Sequence, residues 1–124
     1  MINISNNQSL NDDKEIIKTA KDYIEGWYDG DKERMKNALH PDMVKRRFKD
    51  GELKELNTEK MIFGAERGGG KHVPKETYKI VIEILDRSDT IASVVTRSEY
   101  IDYLHLAKVN NKWAIVNVLW DFNK

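Results

Sequence analysis

The chain has 124 residues, enough for one domain that buries about two thirds of its unfolded surface. It carries 21 basic and 21 acidic residues, so its net charge is zero and no long-range field favours nucleic acid or an anionic membrane. The absence of cysteine excludes disulfides, thiolate chemistry and cysteine-based metal sites. No apolar run approaches the roughly 20 residues of a membrane span, and residues 1–13 lack the pattern of a signal peptide, so we expect a cytoplasmic protein.

The start of the chain is polar and rich in asparagine. We therefore expect residues 1–11 to form a disordered tail and residues 12–124 to form a single domain. Asp12 and Glu15 have the spacing of a capping box, which predicts that the first helix begins there.

The first helix is predicted from apolar residues at helical spacing: Ile16, Ile17, Ala20, Tyr23, Ile24 and Trp27. Gly26 costs this helix about 1 kcal/mol relative to alanine, which indicates close approach of another backbone or of a ligand. Gly30 ends the helix, and Asp31 can cap a second, shorter one. That helix should end at His40, because Pro41 disfavours the helical conformation of the residue before it.

The second half of the chain changes to strand patterns. Thr58 can cap a third helix that ends near Arg67. Alternating or β-branched runs predict strands over 52–56, 77–87 and 91–97. Helices followed by a meander predict an α+β fold with three N-terminal helices packed on one face of a curved antiparallel sheet.

The last two strands form a predicted hairpin from Tyr100 to Trp120 around Asn110-Asn111. If Asn111 takes the left-handed position of a three-residue loop, the facing pairs are Leu106–Ala114, Leu104–Val116, Asp102–Val118 and Tyr100–Trp120. This register places a single carboxylate, Asp102, on an otherwise apolar face. It indicates a pocket that one side of the hairpin lines.

Three stretches carry a resemblance to a known fold. The first helix ends in Tyr-Asp-Gly-Asp, the second ends in Leu-His-Pro-Asp, and the chain closes with YIDYLHLAKVNNKW…VNVLW. Together they resemble, over residues 12–122, the cone-shaped nuclear transport factor 2-like fold and its "putative lumazine-binding" family. That family is related to SnoaL-like polyketide cyclases and ketosteroid isomerases. The resemblance implies a sheet curled around the helices, a pocket at the wide end of the cone and dimers through the sheet.

The related isomerases imply two site residues. They use a first-helix tyrosine and a protonated strand aspartate as paired donors to a developing enolate. Tyr23 and Asp102 stand at the corresponding positions. The position of their general base falls near Arg47, and a permanently charged guanidinium cannot accept a proton.

Each candidate also has a structural interpretation. Asp102 could be a desolvated acid in the pocket, or it could bind Arg97 or a turn amide. Tyr23 could be a core aromatic, and His40 could either act as a base or cap the chain reversal. The candidate catalytic set is Asp102, Tyr23 and His40, and the candidate ligand-binding set is Trp27, Met43, Met61, Tyr100, Leu104, Val116, Val118 and Trp120.

The remaining polar residues predict no metal or cofactor site. The three histidines, His40, His72 and His105, have none of the short spacings that zinc needs. The basic cluster at 45–49 is typical of a solvated edge, although Arg46 or Arg47 could hold an anionic group of a ligand at a pocket mouth.

We therefore predict a protein that binds a small hydrophobic or flat aromatic ligand. One alternative is an isomerase, cyclase or dehydratase with His40 as base and with Asp102 and Tyr23 as enolate donors. Another is an adaptor that presents the sheet to a protein partner. Because helices can cover one face only, we expect the reverse face to form a homodimer through Ile101, Tyr103, His105, Trp113, Ile115 and Leu119.

Overall fold

The computed structural model describes residues 2–124, with side chains from residue 7 onward. The helices are α1 (Ile2–Asp29), α2 (Lys32–Ala38) and α3 (Thr58–Glu66), and a 3₁₀ turn spans Lys75–Thr77. The strands are β1 (Leu39–Lys49), β2 (Glu52–Asn57), β3 (Val81–Arg87), β4 (Ile91–Arg97), β5 (Tyr100–Val109) and β6 (Lys112–Phe122). They form one sheet in the order β2-β1-β6-β5-β4-β3. The α+β prediction is confirmed, and no helix of the described chain is long and apolar enough to cross a membrane.

Strand β1 is the element that sequence patterns did not predict. In place of a break at His40 and a solvated basic edge, an 11-residue strand pairs with β2 antiparallel and with β6 parallel. The sheet is therefore mixed and not purely antiparallel. A register shift between Leu39 and Val44 accommodates Pro41, which has no N–H to donate to a neighbouring strand.

Helix α1 begins at Ile2 and not at the expected Asp12, so it includes residues of the expected tail, while Met1 lies outside the described residues. Arg87 binds the N-terminal part of α1, because its Nη2 donates to the Ser9 carbonyl at 2.8 Å and to the Ser9 hydroxyl at 2.6 Å. Asp12 is only 2% exposed and accepts hydrogen bonds from Trp113 Nε1 and Lys108 Nζ, both at 3.0 Å. Ser9 and Asp12 are therefore held by partners that are distant in the sequence.

The packing of α2 confirms two local predictions. Asp31 caps α2 by accepting from the Arg34 amide at 3.1 Å. A side chain at Gly26 would lie 3.2 Å from the Met35 amide nitrogen, so glycine allows α2 to approach α1 closely. The cap of α3 differs from its prediction, because Asn57 and not Thr58 accepts from the helix.

The predicted hairpin register is wrong, although its outer pairs keep the predicted faces. Asn110 and Asn111 both have positive φ, 51° and 66°, so the turn has two residues and Val109 pairs with Lys112. A bulge at Val116 then shifts the register, and Asp102 faces Trp120 while Leu104 faces Val118. Between the turn and the bulge, the side chains of β6 face the side opposite to the predicted one. Trp113 and Ile115 are therefore 0% exposed and lie in the core, although we had expected them on a dimer face.

Candidate functional site

A cavity of about 340 Å³ lies where α1, α3 and the strands β1, β5 and β6 meet. Side chains four apart on α1 and two apart on each strand share a face, which explains why they converge. The lining residues are Tyr23, Ile24, Trp27, Lys45, Leu56, Met61, Gly69, His72, Glu99, Tyr100, Asp102, Trp120 and Phe122.

Three ionisable side chains form a hydrogen-bonded chain in this cavity. Lys45 Nζ lies 2.7 Å from Tyr23 Oη, and Tyr23 Oη lies 2.9 Å from Asp102 Oδ1. Lys45 Nζ is also 4.0 Å from Asp102 Oδ1, and the Thr96 hydroxyl donates to Asp102 Oδ2 at 3.4 Å. The amine, the phenol and the carboxyl group therefore act as one unit.

Burial disfavours charge on every member of this chain. It raises the pKa of Asp102, although Lys45 and the donors Tyr23 and Thr96 act in the opposite direction. It lowers the pKa of Lys45 against the attraction of the Asp102 carboxylate. The pKa of the Tyr23 phenol lies well above its ordinary value, first because of burial and then because of Asp102.

The Lys45–Tyr23–Asp102 chain can hold its transferable proton at Lys45 or at Asp102. In the charged form, the Lys45 ammonium donates to Tyr23 and the Tyr23 hydroxyl donates to the Asp102 carboxylate. In the neutral form, the Asp102 carboxylic acid donates to Tyr23 and Tyr23 donates to the Lys45 amine. The two forms differ only by reversal of two hydrogen bonds, so the net charge of the site stays at zero.

Aromatic rings form the walls around the Lys45 amine. Nζ lies 4.9 Å from the ring centroid of Trp120, 5.2 Å from that of Tyr23 and 5.7 Å from that of Trp27. Tyr100 packs edge-on against Trp120 at 5.6 Å and accepts a hydrogen bond from Trp27 Nε1 at 3.2 Å. The walls can therefore stack a flat ligand while the Lys45–Tyr23–Asp102 chain supplies the polar contacts.

The rim of the cavity contains the loop with Gly69 and Gly70, here called the glycine loop, and the pair His72 and Glu99. A side chain at Gly70 would lie 2.4 Å from the Trp27 carbonyl oxygen, and one at Gly69 would lie 2.7 Å from the Trp27 ring. The glycine loop therefore packs directly on Trp27. His72 Nε2 lies 3.0 Å from the Glu99 carboxylate beside it.

The structure brings six of the candidate site residues together in the cavity: Tyr23, Trp27, Met61, Tyr100, Asp102 and Trp120. Met43, Leu104 and Val118 instead lie in the hydrophobic core and do not line it. Val116 lies at the bulge and lines a more open depression of about 490 Å³ on the sheet, beside His105.

His40 does not line the cavity. Its Nδ1 accepts from the Asp42 amide at 3.0 Å within β1, and its carbonyl accepts from the Thr58 hydroxyl at the start of α3. The constellation of His40 with Asp102 and Tyr23 that the enzyme alternative requires is absent from the cavity. Among the described residues, no group of histidine, aspartate or glutamate side chains could hold a metal ion.

Lys45 is the site residue that sequence reasoning missed. It belongs to the basic cluster that we expected to be solvated, yet only 8% of it is exposed. Its neighbours are only partly exposed: Arg46 Nε binds Glu55 at 2.9 Å, and Arg47 Nε binds Asp121 at 3.1 Å while its guanidinium lies 5.0 Å from the ring centroid of Trp120. The available signal was period-2 alternation, since Lys45 is two residues from Met43, which is buried on the same strand.

The comparisons with known proteins agree with this fold. The family model described as "Putative lumazine-binding" matches residues 11–121. No curated protein sequence matches the chain significantly. Three solved structures described as NTF2-like proteins of unknown function are similar to it.

The first, from Shewanella baltica OS155, has a TM-score of 0.75 and 19% identity, and the alignment covers 93% of this chain and 96% of that one. The second, from Methylobacillus flagellatus KT, has a TM-score of 0.73 and 21% identity, with coverage of 92% and 94%. The third, from Silicibacter pomeroyi DSS-3, has a TM-score of 0.73 and 12% identity, with coverage of 93% and 98%. The chain therefore has the nuclear transport factor 2-like fold and belongs to the family described as "Putative lumazine-binding".

Proposed function

We propose that this protein binds a small, flat heteroaromatic ligand that carries a ring carbonyl, in the cavity between α1 and the sheet. The observation that carries the proposal is the buried Lys45–Tyr23–Asp102 chain opening onto aromatic walls. Buried polar groups cost stability unless they are satisfied, and a few convergent polar groups in an apolar cavity are typical of a ligand site.

The polar contacts fit a carbonyl acceptor. A lysine ammonium has three donors, and among the described residues Nζ donates to Tyr23. The remaining N–H bonds can serve a ligand oxygen, while Trp27 and Trp120 stack on its rings. The family description supports this ligand class, since lumazine is a flat bicyclic ring system with carbonyl groups.

Calorimetric titration with lumazine and a series of flat ring carbonyl compounds tests the proposal. We expect binding to the native protein and a 10-fold to 100-fold loss (about 1.5–3 kcal/mol) in Lys45→Met, because a charged hydrogen bond is removed. Lys49→Met is the matched control, since Lys49 is exposed at the end of the same strand. Absence of binding to the native protein, or equal binding by both variants, would show that this cavity is not a binding site for such ligands.

We also propose that the outer face of the sheet pairs with a second copy of the chain. Large apolar side chains support this proposal, with Phe48 63%, Tyr103 43% and Leu119 48% exposed around one depression. Light scattering at micromolar concentration should report a dimer that Leu119→Glu dissociates and Leu85→Glu, on the distant strand β3, does not. A monomeric native protein would contradict self-association and would leave the face to a different protein partner.

A further inference from the structure

We propose that Lys45 acts as a neutral amine that captures an aldehyde or ketone group of the ligand as an imine. This inference rests on the proposed ligand binding in the same cavity and names the chemistry of that site. It follows from the position of Nζ, which lines the cavity between three aromatic rings and is linked through Tyr23 to a buried proton acceptor.

The surroundings of Lys45 make the neutral amine accessible beside the ammonium. Its side chain is 10% exposed, and that of Asp102 is 2% exposed. Water therefore solvates the ammonium poorly, which lowers the pKa of Lys45. A desolvated lysine of this kind is a nucleophile toward carbonyl groups, whereas an exposed ammonium has no lone pair to donate.

The hydrogen-bonded chain produces this amine without release of a proton to water. Transfer from Lys45 to Tyr23, and from Tyr23 to Asp102, leaves a free amine and a carboxylic acid. The ends of the chain are 4.0 Å apart, with the Tyr23 oxygen bridging them. The acid is then in place to return the proton during the reaction.

The reaction balances with these groups alone. The Lys45 lone pair forms a C–N bond, and the carbonyl oxygen takes the Asp102 proton through Tyr23. One ammonium proton of the adduct returns to Asp102 by the same path. The hydroxyl group then takes that proton and leaves as water, and the nitrogen lone pair forms the C=N bond. The products are a protonated imine, the Asp102 carboxylate and one water.

Reductive trapping tests the inference. The probe is 2-naphthaldehyde at a substoichiometric concentration with sodium cyanoborohydride, and the readout is peptide mapping of the naphthylmethyl label by mass spectrometry. At about pH 7 we expect labelling of Lys45 to exceed that of exposed Lys49 severalfold, because proton transfer through Tyr23 to Asp102 leaves an amine at Lys45. Lys45→Met should lose this label and Lys49→Met should keep it.

The pH profile distinguishes a reactive amine from an accessible one. Because transfer to Asp102 produces the amine without release of a proton to water, label at Lys45 should fall less steeply than label at Lys49 as the pH is lowered from about 8 to about 6.5. The ionisable groups that face Lys45 across the cavity are Tyr23 of α1, Asp102 and Tyr100 of β5, Glu99 before β5, and His72 of the glycine loop. Parallel profiles for Lys45 and Lys49 would contradict the inference.

The alcohol 2-naphthalenemethanol separates this inference from the proposed function, because it has the same rings and no carbonyl. Its binding is followed by tryptophan fluorescence quenching. If the alcohol binds and the aldehyde labels Lys49 as strongly as Lys45, imine formation is overturned and ligand binding stands. If neither compound occupies the cavity, both the inference and binding of flat aromatic ligands are overturned.

Discussion

Replacement of Lys45 by methionine tests whether the buried chain is energetically coupled. At an effective dielectric constant of about 20, two unit charges 4 Å apart attract by about 4 kcal/mol. The separation of Lys45 Nζ and Asp102 Oδ1 is 4.0 Å. Asp102 keeps the donors Tyr23 and Thr96 and can take up a proton, so we expect a smaller net loss of about 2 kcal/mol in the free energy of unfolding.

The partner variant completes a double-mutant cycle. Asp102→Asn leaves the ammonium without its anion and should also cost about 2 kcal/mol. Lys45→Met combined with Asp102→Asn removes both charges and keeps an acceptor for Tyr23. We expect the double variant to lie within about 1 kcal/mol of the native protein, with a coupling energy of about 3–4 kcal/mol.

Urea unfolding followed by circular dichroism gives the four free energies. The pH dependence of the free energy of unfolding gives a second test of the coupling. The folded-state pKa of Asp102 is already raised by burial, and loss of the ammonium raises it further, so its contribution to stability is present below its unfolded pKa and is lost as the pH rises. The deficit of Lys45→Met should therefore shrink as the pH is lowered from about 7.5 to about 5. Additive losses in the double variant, or a deficit independent of pH, would refute the coupled chain.

Two further predictions concern the supports of the site. Asp12→Ala should lower the free energy of unfolding by about 3 kcal/mol, because Trp113 Nε1 and Lys108 lose a buried acceptor. Burial acts to raise the pKa of Asp12, but its donors outweigh burial and lower it, so this stabilisation is present above the unfolded pKa and is lost as the pH falls below about 4. Urea midpoints at about pH 7 and pH 3 check both points, and an equal deficit at both would contradict them. Gly70→Ala should cost about 2 kcal/mol and weaken ligand binding, because its Cβ would lie 2.4 Å from the Trp27 carbonyl oxygen. Gly51→Ala is the control, since its Cβ would meet nothing within 4 Å and only its left-handed φ opposes the change. Equal losses in the two glycine variants would show that contact with Trp27 is unimportant.

Features set by neighbouring residues were predictable from the sequence. The cap at Asp31 and the bounds of β4 follow from local patterns, and the structure reproduces both. The outer half of the hairpin keeps Asp102 and Leu104 on the core side, because the predicted and observed registers differ there by two residues and side-chain alternation has period 2.

Features set by residues that are distant in the sequence were not predictable in this way. The bulge at Val116 has no local signature, and it reverses the faces of Trp113 and Ile115. The N-terminal part of α1 contacts Arg87 at Ser9, 78 residues away in the sequence, which no local pattern indicates.

Lys45 shows the same limit within the site. Charge alone placed it with Arg46 and Arg47 in a cluster that we expected to be solvated. Its burial follows from the pairing of β1 with β6, which places its Cα opposite Val118. A lysine is tolerated there because Tyr23 and Asp102, from two other elements, satisfy it.

NMR signals of the tryptophan side chains test ligand binding in the cavity most directly, because two tryptophans line it and one does not. The chain has three tryptophans. Trp27 and Trp120 line the cavity, whereas Trp113 is buried in the core with its indole N–H on Asp12. In a ¹⁵N-resolved NMR titration with lumazine, the indole N–H signals of Trp27 and Trp120 should shift in a saturable manner while that of Trp113 stays unchanged. Saturable binding that leaves the signals of Trp27 and Trp120 unmoved would contradict the proposed site.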